Sequence, residues 1–202
     1  ASDVYKRQVL IEEHFDIQEY QAFNRFFPAH GYELIYVSDL WGQPALTFHA
    51  NGIDGLIPGA CTVDRDVRTV QPAALAALVI IGGYAADRLR YEVDPQPGQS
   101  CHSPAAELVR GAMTAPGTVV ATLCHGLMLL TAMPELLQGR RLTCASNILR
   151  DVEHTGARVI FDGAGRLAPV VVDETLVTAS HPDYLDDFLK QTLETLSRVT
   201  GI

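Results

Sequence analysis

Residues 118–137 read TVVATLCHGLMLLTAMPELL, and the fold turns on them. Residues 118–123 are an apolar run broken only by threonines, the pattern of a strand buried on both faces of a parallel sheet. They run straight into Cys124-His125-Gly126, and residues 127–137 then predict a helix. Cysteine between a parallel strand and its helix, with glycine two places on, has the spacing of a nucleophile elbow. Such a turn lifts one side chain clear of the sheet at its carboxyl edge, where α/β folds place their sites. A helix starting just beyond would turn its positive end toward the thiol and favour the thiolate. The plain alternative is a cysteine that merely ends a core strand.

On either side of this segment, strand and helix patterns alternate. Residues 9–12 are a short apolar run, and Asp16 is placed to cap a helix whose Tyr20, Phe23, Phe26 and Phe27 recur at helical spacing. That helix stops near residues 28–31, and residues 32–37 form a second strand. Glycine and proline punctuate residues 41–57 as loop or hairpin. Residues 75–81 form another buried strand, ending in Gly82-Gly83. A turn-rich loop over 94–103 leads to a helix over 104–113. Further on come a short strand at 141–143, a helical turn at 148–154, strand patterns at 157–161 and 169–172 around a turn, and a last strand at 176–179. An amphipathic helix from Pro182, burying Phe188, Leu189, Leu193 and Leu196, closes the chain. This alternation predicts one α/β sandwich with a mostly parallel sheet.

The 202 residues are 48% apolar and 19% charged, ample for a buried core. Fifteen Lys and Arg against 24 Asp and Glu give a net charge of −9. Such a surface repels phosphate backbones and anionic lipid, so neither nucleic acid nor a membrane is an expected partner. No apolar stretch approaches the roughly 20 residues needed to span a bilayer. With no charged-then-apolar leader in view, a cytoplasmic protein is expected. The four cysteines, Cys61, Cys101, Cys124 and Cys144, include no C-x-x-C pair, so free thiols and no metal are expected. Residues 1–8, ASDVYKRQ, match one translated frame of a sequencing-adapter end. They are expected to be a library scar, with the domain over 9–202; a natural polar leader is the alternative.

At motif level the chain resembles the ThiJ/PfpI family of the class I glutamine amidotransferase-like superfamily. The resemblance rests on TVVATLCHGLMLLTAMPELLQGRRLTC at 118–144, VEHTGARVIFD at 152–162 and PVVVDETLVTASHPDYLDDF at 169–188. In the amino half it rests on HFDIQEYQAF at 14–23 and LVIIGGYAADRLR at 78–90. It implies a flavodoxin-like three-layer α/β/α sandwich that forms homodimers or larger homo-oligomers. It also implies roles: Cys124 as nucleophile, and Glu19 as a protonated carboxyl beside the sulfur, since like charges there cannot both ionise cheaply. Gly82 and Gly83 would help form an oxyanion hole with the amide after Cys124. His125 would be a general base, oriented as in peptidase-like members by an acidic residue of an adjoining subunit; Asp87 occupies that place, whether across an interface or as a surface charge near Arg88 and Arg90. Asp16, Glu12 and Glu13 are nearby acids that could compete with Glu19, though capping explains Asp16.

The chain also departs from the pattern. Leu127 and Met128 stand where a proline and a polar or aromatic residue are usual, and are expected to make the pocket rim apolar. His181 stands where arginine is common and is a candidate substrate or pH contact. Cys101-His102 lies in a long loop that could adorn the pocket. The implied function is a cofactor-independent cysteine enzyme acting on small reactive carbonyls, as a glyoxalase or deglycase does. Alternatives are a cysteine peptidase or amidase taking peptide substrates, and a non-enzymatic oxidative-stress sensor or chaperone.

Overall fold

The computed structural model describes residues 6–52, 58–90, 94, 97–98 and 102–201. Its centre is a six-stranded sheet. The strands in chain order are β1 (Lys6–Leu10), β2 (Glu33–Val37), β5 (Ala77–Ile80), β6 (Val119–Leu123), β9 (Val170–Asp173) and β10 (Leu176–Ala179), with β3 (Leu46–His49) and β4 (Ala60–Val63) forming a separate antiparallel hairpin. In space the order is β2-β1-β5-β6-β10-β9, parallel except for β9, which runs against β10. The carboxyl ends of β1, β5, β6 and β10 therefore share one edge. The order reverses between β1 and β5, which makes the crevice there the expected place for a site in an open α/β sheet.

Side chains along β5 alternate between the two faces with the two-residue period of a strand. Leu78 and Ile80 join a core with Ala86, Leu89, Ala106, Val109 and Leu137, from helices α2 (Ala85–Arg90), α3 (Pro104–Thr114) and α4 (Pro134–Leu137). Ala77, Val79 and Ile81 join the opposite core with Phe23, Phe27, Phe188 and Leu196, from α1 (Ile17–Ala29) and α6 (Leu185–Thr200). These two cores make the predicted three-layer, flavodoxin-like sandwich. On the α2 face, a short parallel pair β7 (Arg141–Leu142) and β8 (Arg158–Val159) flanks α5 (Leu149–His154).

Three features differ from the sequence reading. The first strand takes in Lys6, Arg7 and Gln8, which had been set outside the domain. Arg7 is 1% exposed, and its guanidinium lies 3.7 Å from the centre of the Tyr32 ring, a cation–π contact. The segment after the elbow is not one α-helix: a 3-10 run spans Cys124–Ala132, and α4 begins only at Pro134. Pro134 has no amide to continue the preceding turn, and Thr131 Oγ1 donates to the Met128 carbonyl at 2.7 Å, so the two pieces cannot merge. Leu127 and Met128 are buried at 1% and 9% exposure, in the core rather than on a pocket rim. Cys101 and most of the loop before α3 lie outside the described residues.

Phe23 is fully buried on α1, with ring contacts to Phe27 and Phe188 at centroid distances of 6.0 and 6.5 Å. Phe23→Ala is expected to lower stability in urea by about 3–5 kcal/mol through the cavity it leaves. A loss below about 1 kcal/mol would show that α1 is not anchored through this cluster.

Candidate active site

Cys124 follows β6 with a φ of +55°, a left-handed conformation that non-glycine residues adopt only under constraint. The constraint comes from Gly126. A Cβ there would lie 2.5 Å from Thr122 Oγ1 and 2.7 Å from the Ile80 carbonyl, so only glycine lets the chain turn this close to β5 and β6. Cys124 is half-buried and packs against both cores.

The second component arrives from α1. Asp16 caps the helix, its Oδ1 accepting from the Gln18 and Glu19 amides at 2.8 and 3.0 Å. Glu19, in the first turn, is fully buried. Its Oε2 accepts the Gly82 amide at 2.6 Å, a buried bond across 63 residues of sequence. Its Oε1 has no hydrogen-bond partner among the described residues. A Cβ on Gly82 would fall 2.3 Å from that Oε1, so glycine is needed at 82 to admit the carboxyl.

Burial, and then the charge of Asp16, hold the Glu19 carboxyl well above the usual carboxylate range, and the Gly82 bond only partly offsets this. The site therefore favours the protonated form of Glu19. Cys124 is pushed up to about 12, first by burial and then by a charge on Glu19, while the His125 amide pulls the other way. This corrects the expectation of a thiol ionised near neutrality. The helix end was expected to lower it, but the turn is 3-10, and one backbone amide does not outweigh the removal of water. The resting pair is thus a thiol beside a carboxylic acid.

Gly82 itself is taken out of the expected oxyanion hole, because its amide is committed to Glu19. Gly83 remains. The Gly82 carbonyl accepts from Asp16 N at 3.1 Å, on the α1 side, and across a trans peptide the Gly83 N–H points the opposite way, away from Asp16. Gly83 has a φ of +78°, and a Cβ there would meet the His14 carbonyl at 2.4 Å, so this peptide too is held in place by the chain after β1.

His125 Nδ1 lies 2.7 Å from Asp87 Oδ2, with Asp87 carried by α2 of the same chain. The sequence left open whether Asp87 acts across a subunit interface; here the pair closes within one chain, because α2 packs directly against the turn that follows Cys124. A carboxylate on Nδ1 fixes the tautomer with its proton there and leaves Nε2 as the basic nitrogen. The remaining candidates have other partners. Glu12 is held by Arg88 Nε at 3.3 Å and Ser38, and Glu13 by His49 at 3.1 Å, so neither competes with Glu19. His181 follows β10 at the same sheet edge, but its Nδ1 accepts from the Asp183 amide at 3.2 Å, capping a short 3-10 turn. His102 is engaged by Glu107 and Arg110. Tyr84, which sequence reasoning passed over, meets the His125 ring edge-on at 5.3 Å between centroids. Among the described residues, no three His, Cys, Asp or Glu side chains group as a metal site, and no helix is long and apolar enough to cross a membrane.

A cysteine raised on a strand-to-turn elbow, backed by a buried carboxyl at the switch point of a flavodoxin-like sheet, defines a class of α/β protein. Residues 8–195 match the DJ-1/PfpI family, and the chain belongs to it. An uncharacterized Staphylococcus aureus protein is 25% identical over 191 residues, covering 95% of this chain and 98% of that one. A ThiJ/PfpI domain protein from Brachyspira murdochii matches in structure with a TM-score of 0.77 at 20% identity, over 98% of this chain and 99% of that one. A two-domain Anabaena variabilis protein with DJ-1/ThiJ/PfpI-like and ferritin-like domains gives 0.76 at 24% identity over 95% of this chain, which spans about half (48%) of its length.

Above the ordinary glutamate value of 4.5 the unfolded chain releases the Glu19 proton and the folded chain keeps it, so Glu19 weakens folding increasingly as pH rises. Glu19→Gln is therefore expected to raise the Tm at pH 7–8, by about 2–4 °C for each kcal/mol recovered. The gain should shrink to nothing as pH falls toward 4.5. A Tm difference that does not vary with pH would contradict a buried, protonated Glu19.

Proposed function

We propose that the protein is a cofactor-independent cysteine enzyme that adds Cys124 to small reactive carbonyls, a glyoxalase- or deglycase-like activity. The observation that carries this reading is the Cys124 thiol, half-exposed on its strained turn, beside the buried acid Glu19. An aldehyde carbonyl needs no strong nucleophile if its oxygen is protonated or hydrogen-bonded as sulfur adds. The Gly83 and His125 amides would take the developing oxyanion. The thiol proton would leave to His125 Nε2, whose Nδ1–H is oriented by Asp87, and Glu19 would donate to the carbonyl oxygen.

The step forms one S–C bond and converts C=O to C–OH, giving a hemithioacetal without external oxidant. With a 2-oxoaldehyde, moving a proton from C1 to C2 through an enediol oxidises C1 and reduces C2, leaving a thioester. Water then releases a 2-hydroxy acid and regenerates the thiol. Glu19 and His125 are the groups placed for those proton transfers.

A sensor needs thiolate character for oxidation. Burial pushes the Cys124 thiol up to about 12, which works against oxidation and against addition alike; in addition the acid Glu19 would offset it by assisting at the carbonyl oxygen. The in-chain His125–Asp87 pair favours one second reading, amide hydrolysis, in which the protonated histidine would hand its proton to the leaving amine.

Cys124→Ser is expected to abolish methylglyoxal consumption, followed by loss of the aldehyde and appearance of lactate; undiminished turnover would refute the covalent step. Asp87→Asn should lower kcat by about 10²-fold or more by freeing the histidine tautomer. Loss of activity on an amide substrate, with none on methylglyoxal in either protein, would move the assignment to the second reading.

A further inference from the structure

Tyr84 is an aromatic side chain that neither the core nor the chemistry above uses. It is 53% exposed, and yet its position is set closely. Its amide donates to the His14 carbonyl at 3.0 Å, and its carbonyl accepts from Arg88 N at 3.3 Å, opening α2. Gly83, immediately before it, is locked in a left-handed turn against His14 and Asp16. The ring lies edge-on to His125 at 5.3 Å and 62°, and the His125 side chain is only 12% exposed. One edge of Tyr84 thus covers the proposed base while much of its surface stays open to solvent, one residue from the Gly83 amide.

Leu127 and Met128, the apolar residues expected at the rim, are buried. Among the described residues, Tyr84 is therefore a large exposed ring beside the turn that follows Cys124. A fixed, half-open ring one residue from the oxyanion donor suits a flat substituent on the carbonyl carbon next to the one attacked. A substituent as small as methyl would leave most of that surface wet.

Resting on the reading of Cys124 as a carbonyl-adding nucleophile, we propose that Tyr84 is a specificity-determining residue selecting carbonyl substrates that carry an aryl or comparably flat unsaturated group over short aliphatic ones. Offset-stacked or edge-to-face aromatic pairs contribute enough for about a two- to tenfold preference. The ring acts by contact with substrate, and its hydroxyl has no part in the selection.

The test compares kcat/KM for phenylglyoxal and methylglyoxal in the wild-type protein, Tyr84→Ala and Tyr84→Phe. The phenylglyoxal-to-methylglyoxal ratio should fall about two- to tenfold in Tyr84→Ala, mainly through KM, and be retained in Tyr84→Phe. A ratio unmoved by Tyr84→Ala, or lost equally in Tyr84→Phe, overturns the proposal while leaving the carbonyl reading in place. A change of oligomeric state in Tyr84→Ala with no change of ratio also overturns it, and makes this ring an inter-subunit contact.

A readout without turnover separates the two claims. Cys124 displaces bromide from phenacyl bromide or bromoacetone, forming one S–C bond and releasing bromide, followed by intact mass. The phenacyl advantage over bromoacetone, each rate normalised to free thiol, should fall by a similar factor in Tyr84→Ala. If neither oxoaldehyde is consumed by the wild-type protein and this labelling ratio still falls, the catalytic reading fails and the aryl contact stands. If the labelling ratio is unmoved, the contact fails on its own.

Discussion

The bond from the Gly82 amide to the buried Glu19 carboxyl is the interaction on which the rest of the site depends. It ties the first turn of α1 to the end of β5 and fixes an acid behind the sulfur at the end of β6. Gly82 has to be glycine for the carboxyl to fit, and Gly83 has to be glycine because a Cβ there would meet the His14 carbonyl. That same Gly82–Gly83 peptide is held by Asp16 through its carbonyl, which turns the Gly83 N–H the other way. One local packing constraint thus places the acid, commits the Gly82 amide to it and leaves the Gly83 amide as the donor the proposed function calls on.

Burial that protonates Glu19 also protonates Cys124. Desolvation penalises both negative charges; a charge on Glu19 raises Cys124 further and the charge of Asp16 raises Glu19 further, so both shifts favour the neutral pair. In the proposed reaction a thiol in that state would react through acid assistance and proton removal rather than as a free thiolate, and the in-chain His125–Asp87 pair would be the group that takes the proton. It also shifts weight away from reading Cys124 as a peroxide sensor, for which an ionised sulfur is the first requirement.

Much of this was legible in the residues. The two-face burial of residues 77–80 and 119–123, the cap at Asp16 and the strand–Cys-His-Gly junction are local patterns set by periodicity and by one glycine. What escaped the sequence depends on groups far apart along the chain. That the Gly82 amide serves Glu19 needs residues 63 positions apart to meet. That Asp87 reaches His125 in its own chain depends on α2 packing on the turn after Cys124. The direction of the thiol shift was misjudged because a helix end is visible in a sequence and the removal of water around a sulfur is not. The burial of Leu127 and Met128 followed from a 3-10 turn that helical periodicity cannot distinguish from an α-helix. Arg7 and Gln8, polar residues in a buried central strand, have no sequence signal for strand at all.

The most direct test is to titrate the Cys124 thiolate by its ultraviolet absorbance, in wild-type protein and in Glu19→Gln, with Cys124→Ser as the blank. The account predicts that Cys124 ionises above the ordinary cysteine value of 9.0 in the wild-type chain. It also predicts that Glu19→Gln, by removing a neighbouring charge, brings the midpoint down while burial keeps it from reaching neutrality. A wild-type midpoint at or below neutrality, or one that Glu19→Gln leaves in place, would contradict the coupling of sulfur and carboxyl on which the site is built.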